Sequence, residues 1–416
     1  MVVRAFTTSL VAAAGSAAQC PPTWFPGGLE FPAFVRGGRI DAACRAGPDL
    51  IAAGTFSFSD ATGTSSLNAA RWDGASWHAM PGMLTSDPNG YPSVWTVHVY
   101  QGSVYAGGSF RVDAGDWQGL ARWNGDSWQP LSPRFPGTVR ALTEYNGRLI
   151  AAGFLFLPGV VTAASFDGTS WEPMPGVPGL ATNLAVNGPD LYIAAFETYP
   201  APGRVYRWTG SEWAPLPHTP GFITSLVSHQ GSLIAAGEFT GPSNQLGVVR
   251  WNGAEWTWVS PSPGDPPGAN VRCLASDGHT LFAGGFIPSI AATPFANALQ
   301  NGTWTALDPL GGAATPWGAA VLGLFPDTSG VWALGTFETV AAQPSPSIAR
   351  WGRGLPECYP NCDCSTSIPT LSPADFACFM SRFAAGEPYA NCDGSTSPPN
   401  VNDFVCFMNR FAAGCP

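Results

Sequence analysis

The chain has 416 residues, and only 11% of them are charged, against about 25% in an ordinary globular protein. Aromatic residues reach 12%, which a disordered chain lacks, so the 50 glycines and 41 prolines read as turns between many short strands. A net charge of −10 argues against a nucleic-acid partner, because phosphate binding needs clustered Lys and Arg, and no basic amphipathic stretch points to a membrane surface.

Residues 1–18 read as a signal peptide. Arg4 supplies the positive start, Ala5–Ala14 is weakly apolar, and Ser16-Ala17-Ala18 offers a small-residue cleavage point. The stretch is too short to span a bilayer, and no transmembrane segment follows. An exported, extracellular chain is therefore expected, either secreted or attached at the cell surface, and its ten cysteines read as disulfide formers.

From residue 19 to 353 the chain is repetitive. One phrase runs Ala70-Arg71-Trp72-Asp73-Gly74-Ala75-Ser76-Trp77 and recurs at 121–128, 164–171, 206–213 and 249–256, with a worn copy at 299–304. Asp-Gly or Asn-Gly between apolar runs predicts a β-hairpin on a two-residue turn with positive φ. A turn at Asp73-Gly74 would set Trp72 and Trp77 as diagonal neighbours on one face, and these tryptophans are expected to be core. A second phrase, such as Leu50-Ile51-Ala52-Ala53-Gly54-Thr55-Phe56, precedes each hairpin and occurs seven times, the last at 331–337. Another apolar run precedes each of those, for example Val139–Thr143. Successive first-position aromatics stand at 72, 123, 166, 208 and 251, a repeat of 42–51 residues. Seven units of four strands, with small residues in the crowded second strand, predict an all-β, seven-bladed β-propeller. The last hairpin, Ile348–Gly352, lacks its second tryptophan, whereas Thr23-Trp24-Phe25-Pro26 has a second tryptophan and no strand before it. The N-terminal strand is thus expected to complete the seventh blade and remove the open sheet edges. With their paired glycines (Gly107-Gly108, Gly284-Gly285) and later tryptophans, these repeats resemble kelch-like propellers, and are similar to an Ala-Gly-Gly-x-Phe/Arg-Trp-Asp-Gly-x-x-Trp repeat of secreted bacterial proteins. That resemblance implies the fold and leaves the activity open.

Residues 354–416 differ in composition and are duplicated. Asn361–Thr366 matches Asn391–Thr396, and Asp375–Gly386 matches Asp403–Gly414. Phe376, Phe379 and Phe383 fall on one helix face, so each half is a polar loop leading into a helix that opens at an aspartate. Calcium loops supply oxygen at alternate positions. That spacing selects Asn361, Asp363, Ser365, Ser372 and Asp375 in the first half and Asn391, Asp393, Ser395, Asn400 and Asp403 in the second. The segment resembles type I dockerin modules with their EF-hand-like loops, in the variant ending Gly414-Cys415. The resemblance implies a disulfide-rich two-helix domain that binds calcium and docks to a cohesin-like or other cell-surface protein. The loops depart from that pattern, with Asn at position 1, Ser at position 5 and no Gly at position 6, so a disulfide-stapled helical hairpin without metal stands as the other reading. Ring closure and the duplication suggest the pairs Cys20–Cys358, Cys362–Cys378, Cys392–Cys406 and Cys364–Cys415, with a pattern crossed between the halves as the rival. Cys44 and Cys273, in blades that are not neighbours, are left unpaired.

No catalytic motif emerges. The five histidines (78, 98, 218, 229 and 279) fall singly in different units, and there is no nucleophile elbow or phosphate loop. Glu144, Glu197, Glu238 and Glu338 lie in or beside inner strands and are the acidic candidates. Two functions remain. One is a non-enzymatic binding or display propeller carrying an extracellular polysaccharide or protein ligand at its mouth. The other is a carbohydrate-active enzyme, a hydrolase or lyase, on the same scaffold, which two converging carboxylates would mark.

Overall fold

In a computed structural model of the protein, the residues described are 23–26, 38–83, 93–112, 118–131, 135–157, 161–197, 202–239, 247–259, 269–288, 293–307, 310–311, 318–327, 330–340, 343–352, 372–386, 390, 392 and 399–413. They form two compact units, a large one on Trp24–Trp351 and a small one containing the C-terminal helices. The signal segment, Cys20, Cys358, Cys362, Cys364, Cys415 and the loop positions Asn361, Asp363, Ser365, Asn391, Asp393 and Ser395 lie outside the described residues.

The large unit is a seven-bladed propeller of four-stranded antiparallel sheets. Blade 1 runs Arg39–Ala46, Asp49–Ser59, Ser65–Trp72, Trp77–Ala79. The first strands of the other blades are Ser93–Tyr100, Gly137–Tyr145, Leu180–Asn187, Gly221–His229, Asn270–Ser276 and Val321–Asp327. Each packs against the first strand of the next blade, and Val321–Asp327 packs on Arg39–Ala46, so these seven strands form the inner wall of a closed ring. In blade 7, Thr23–Pro26 is hydrogen-bonded to Ile348–Gly352, so one sheet joins both ends of the propeller and hides the edge either would leave open. A small sheet not anticipated from the repeat links blades 6 and 7, pairing Leu310-Gly311 with Thr339-Val340 and those with Gln343-Pro344.

The second strands explain the small-residue phrase. Ala52, Ala53, Ala106, Ala151, Ala152, Ala194, Ala235, Ala236 and Ala283 are all fully buried, because each sheet is sandwiched between two others and only small side chains fit there. The outer hairpins of blades 1 to 5 depart from expectation in one respect. Trp72 stands directly opposite Trp77, so the loop between them holds four residues, not two. Asp73 keeps negative φ while Gly74 adopts +104°. The Asp73 carboxylate accepts hydrogen bonds from the Ala75 and Ser76 amides (both 2.8 Å), and this side-chain turn replaces the mirror-image backbone turn. Asn124 does the same for Asp126 and Ser127 (both 2.9 Å). Positive-φ pairs occur in the inner hairpins, at Gln101-Gly102, Asn146-Gly147 and Gln230-Gly231, and in the outer hairpin of blade 6, where Gln300 pairs with Thr303 and Asn301-Gly302 forms the expected two-residue turn. The longer outer loop still brings the tryptophans together. Ring centroids are 5.5 Å apart for Trp72–Trp77, 5.4 Å for Trp123–Trp128 and 5.1 Å for Trp208–Trp213. In these three pairs the second tryptophan is buried and the first half-buried, while Trp251 and Trp256 are both half-buried. They are packing residues.

The small unit holds helix α1 (Pro373–Ala384) and helix α2 (Val401–Ala413). Phe379 and Phe407 are fully buried and stacked 3.8 Å apart, with Phe383, Phe404 and Phe411 around them. Cys392 is disulfide-bonded to Cys406, the pair that the duplication assigns to the second half. Cys378 is also disulfide-bonded, to a partner outside the described residues. Cys44 and Cys273 in the propeller are free and buried. No helix among the described residues is long and apolar enough to cross a membrane.

Candidate functional site

Every innermost strand carries an irregularity at the same place. In blade 1, Ile40 pairs with Gly54 and Ala42 with Ala53, which leaves Asp41 as an extra residue. The same shift leaves Trp95, Arg140, Thr182, Thr224, Arg272 and Leu322 unpaired in blades 2 to 7. A bulge of this kind turns one side chain out of the regular alternation. The residue before each bulge, from Ile40 through Val139 to Val321, is apolar and at most 2% exposed, whereas none of the seven bulged residues is buried.

In six blades the glycine of the repeated Ala-Gly phrase lets the two backbones approach closely at the bulge. A Cβ on Gly237 would overlap the carbonyl oxygen of Phe222 on the bulged strand, and one on Gly285 would overlap that of Asn270. Glycine occupies this place in six blades, and Ala195 occupies it in blade 4. Close approach of two backbones, not turn formation, selects the residue.

The bulged side chains meet in the channel. The Arg140 guanidinium lies over the Trp95 ring, 3.8 Å from its centroid. Asp41, two blades from Arg140, holds Arg39 at 3.0 Å. Burial raises the Asp41 carboxyl above its ordinary range, with Arg39 and then Arg140 pulling it back. Burial also lowers the Arg140 value, the Arg39 cation adds to this, and Asp41 opposes both. Across the ring, Arg272 pairs with Glu238 at 3.3 Å and sits 5.2 Å from the Phe286 ring centroid. Thr224 donates its hydroxyl to Val271 O at 2.6 Å, tying blades 5 and 6 together at the same level.

The four glutamates singled out from the sequence are not brought together. Glu144 lies beside the inner hairpin turn of blade 3, paired with Leu149. Glu238 lies near the opposite end of its blade, where the second strand finishes, and Glu197 follows the end of Asp190–Phe196. Glu338 accepts a backbone hydrogen bond from Ser345 at 2.7 Å through its carbonyl. Sequence reasoning passed over Asp41, Trp95, Arg140 and Arg272, although each stands one residue after a buried apolar residue of the first strand. His229 and His279 come from neighbouring blades to line one groove of about 530 Å³. His229 Nδ1 is 2.8 Å from Ser276 Oγ, and burial lowers its pKa. His78 is held by Asp73 at 2.6 Å on an outer turn.

In the small unit, the four described members of the calcium set take the same places in each half. Ser372 is the N-cap of α1, its backbone N–H donating to Asp375 Oδ2 at 2.8 Å and its hydroxyl accepting from the Ala374 amide at 3.1 Å. The Asn400 N–H donates to Asp403 Oδ2 at 2.8 Å, and Asn400 Oδ1 accepts from the Asn402 amide at 2.9 Å. Asp375 and Asp403 are both fully buried. Their first measurable role is to cap the helices, where free N–H groups favour a negative charge. Among the described residues no cluster of three or more His, Cys, Asp or Glu is placed to hold a metal.

No family model matches the chain, and no curated protein matches it. Among solved structures, U3-55K matches at 11% identity with a TM-score of 0.49, covering 81% of this chain and 99% of that one. A chain of the mitotic checkpoint complex matches at 12% identity with a TM-score of 0.48, covering 85% of this chain and 99% of its own.

Proposed function

We propose that the protein is an exported, non-enzymatic binding propeller held at the cell exterior by its C-terminal module. The observation that supports a binding role most directly is the bulge: each innermost strand carries one bulged residue that is not buried, and around the ring these residues are Asp, Trp, Arg, Thr, Thr, Arg and Leu. A propeller scaffold suits ligand binding at such a mouth. The enzymatic alternative, a carbohydrate-active hydrolase or lyase, needs two carboxylates facing one substrate. Asp41 and Glu238 each stand on an arginine instead, which neutralises them as a working pair. Incubating the full chain with a panel of extracellular polysaccharides and proteins separates the readings. Retention of a ligand without new reducing ends is the expected result, and accumulation of shortened or unsaturated products would overturn it.

For the tail, the reading is a calcium-binding, dockerin-like module that engages a cohesin-like or cell-surface partner. Two buried aspartates at equivalent positions fit the hard-oxygen chemistry of calcium, although Ser372 and Asn400 already spend one lone pair on their helix caps. Bound calcium would cross-link each loop to the helix that follows it. Asp375 and Asp403 would supply the helix side of the set. Asp363, Ser365 and Asn361, with Asp393, Ser395 and Asn391, would supply the loop side. Calorimetric titration of the full chain with calcium should give heat that Asp403→Asn reduces. No heat at millimolar calcium would leave a disulfide-stapled hairpin.

A further inference from the structure

We infer that the channel binds a carboxylate-bearing saccharide, and that Arg140 takes the carboxylate. The inference rests on the reading of the propeller as a binding protein and names the chemistry of its ligand. Arg140 is solvent-accessible inside the channel, and among the described residues no carboxylate is ion-paired to it. The neighbouring cations are already matched, Arg39 with Asp41 and Arg272 with Glu238. The Arg140 guanidinium rests over the Trp95 ring, 3.8 Å from its centroid, and its N–H groups form a fork that a carboxylate can fill with two parallel hydrogen bonds. An incoming anion would also relieve the repulsion between Arg39 and Arg140. Asp41 already acts on Arg140, so a singly charged carboxylate fits better than a doubly charged phosphate.

A second observation points to a saccharide. Among the described residues of the propeller, Phe154 and Phe156 are the large apolar side chains left exposed, at 40% and 51%. Their rings pack edge to face 5.0 Å apart. They stand on the blade that carries Arg140: Phe154 pairs with Thr138, and the Phe156 amide donates to Pro136 O at 3.1 Å. An aromatic platform on the blade that carries the guanidinium, with the Thr182 and Thr224 bulges further around the wall, suits the C–H face, hydroxyls and carboxylate of a uronate ring.

The test is calorimetric titration of the full chain with a galacturonate trisaccharide, its neutral methyl ester, and a glutamate-rich peptide. The acid should bind, with the ester and Arg140→Gln each weakening affinity about ten- to a hundredfold, the span of a lost charge-assisted hydrogen-bond pair. Phe156→Ala should weaken acid and ester alike. Asp41→Asn should tighten the acid alone by removing a like charge, a gain that no folding defect produces. If Arg140→Gln fails to fold, the ester and Asp41→Asn decide. Equal binding of acid and ester, no effect of Asp41→Asn, no binding at millimolar saccharide, or preference for the peptide would overturn the inference. Absence of saccharide binding would leave retention through the tail untouched. Cleavage of a bound trisaccharide would refute the non-enzymatic reading while upholding the site.

Discussion

The outer hairpin and the inner bulge both recur around the ring, but the hairpin keeps its residues while the bulge changes them. Tryptophan, Asn or Asp, and glycine return at the hairpins of blades 1, 2 and 5, and where Phe166 or Thr209 replaces one of them in blades 3 and 4 it does the same packing or turn work. At the bulge only the backbone geometry returns. The side chain is Asp, Trp, Arg, Thr, Thr, Arg or Leu. Within one repetitive chain, positions that hold their residue build the scaffold, and a position that holds its shape while varying its residue is where recognition is written.

The largest effect should come from the glycine opposite the bulge. Gly285→Ala forces a Cβ onto the Asn270 carbonyl and should cost about 3 kcal/mol, the upper range for overpacking a core. Guanidinium unfolding of the full chain measures it, and a loss below about 1 kcal/mol would mean that the strands separate easily and the bulge is not fixed by that contact.

Removing a hairpin cap should cost less. Asn124→Ala leaves the Asp126 and Ser127 amides without their acceptor and should destabilise by about 1 kcal/mol, whereas Asn124→Asp should be close to neutral, since Asp73 and Asp167 serve the same turn.

These turns also set a pH dependence. Backbone N–H groups from Ser76 and Ala75 hold the Asp73 carboxyl well below its ordinary value, and the Ser170 amide with the Thr169 hydroxyl does the same for Asp167. A depressed folded-state value means that the contribution is present above the ordinary carboxylate pKa of about 4 and is lost as pH falls through the folded value. Asp73→Asn keeps the acceptor oxygen but cannot protonate, so melting temperature should fall less steeply below pH 4 in the variant. An unchanged acid limb would show that the turn carboxylates do not contribute.

The smallest effect concerns the free thiols. Burial pushes the Cys44 pKa up to about 12 and the Cys273 value higher still. Neither should react with iodoacetamide in the folded chain, and both should react once it is unfolded. Mass spectrometry before and after denaturation checks this, and labelling of Cys273 in the native state would contradict its placement between blades.

The propeller was legible because its signals are redundant. Seven copies of a strand phrase, a turn residue with a defined job and complementary half-hairpins at the two ends each point to the same ring. The turn length was misread because Asp-Gly and Asn-Gly support two geometries, and only the side-chain hydrogen bonds to residues 75 and 76 choose between them. The bulge was not legible, because one extra residue in a strand barely disturbs the alternation of buried and exposed positions. Its trace was the glycine opposite it, which sequence reasoning assigned to general crowding. The acidic candidates were picked by nearness to inner strands, yet what reaches the channel depends on the bulge register, and that register selects Asp41 and Arg140 over Glu144.

The central claim is that hairpin tryptophans build the scaffold while bulged residues are free to serve a ligand. Guanidinium unfolding of Trp128→Ala alongside Thr182→Ala and Leu322→Ala tests it most directly. The account predicts a loss of about 3–5 kcal/mol for Trp128→Ala, as for a large buried aromatic, and less than about 1 kcal/mol for each bulge variant. Losses of equal size at the bulge and the hairpin would contradict it.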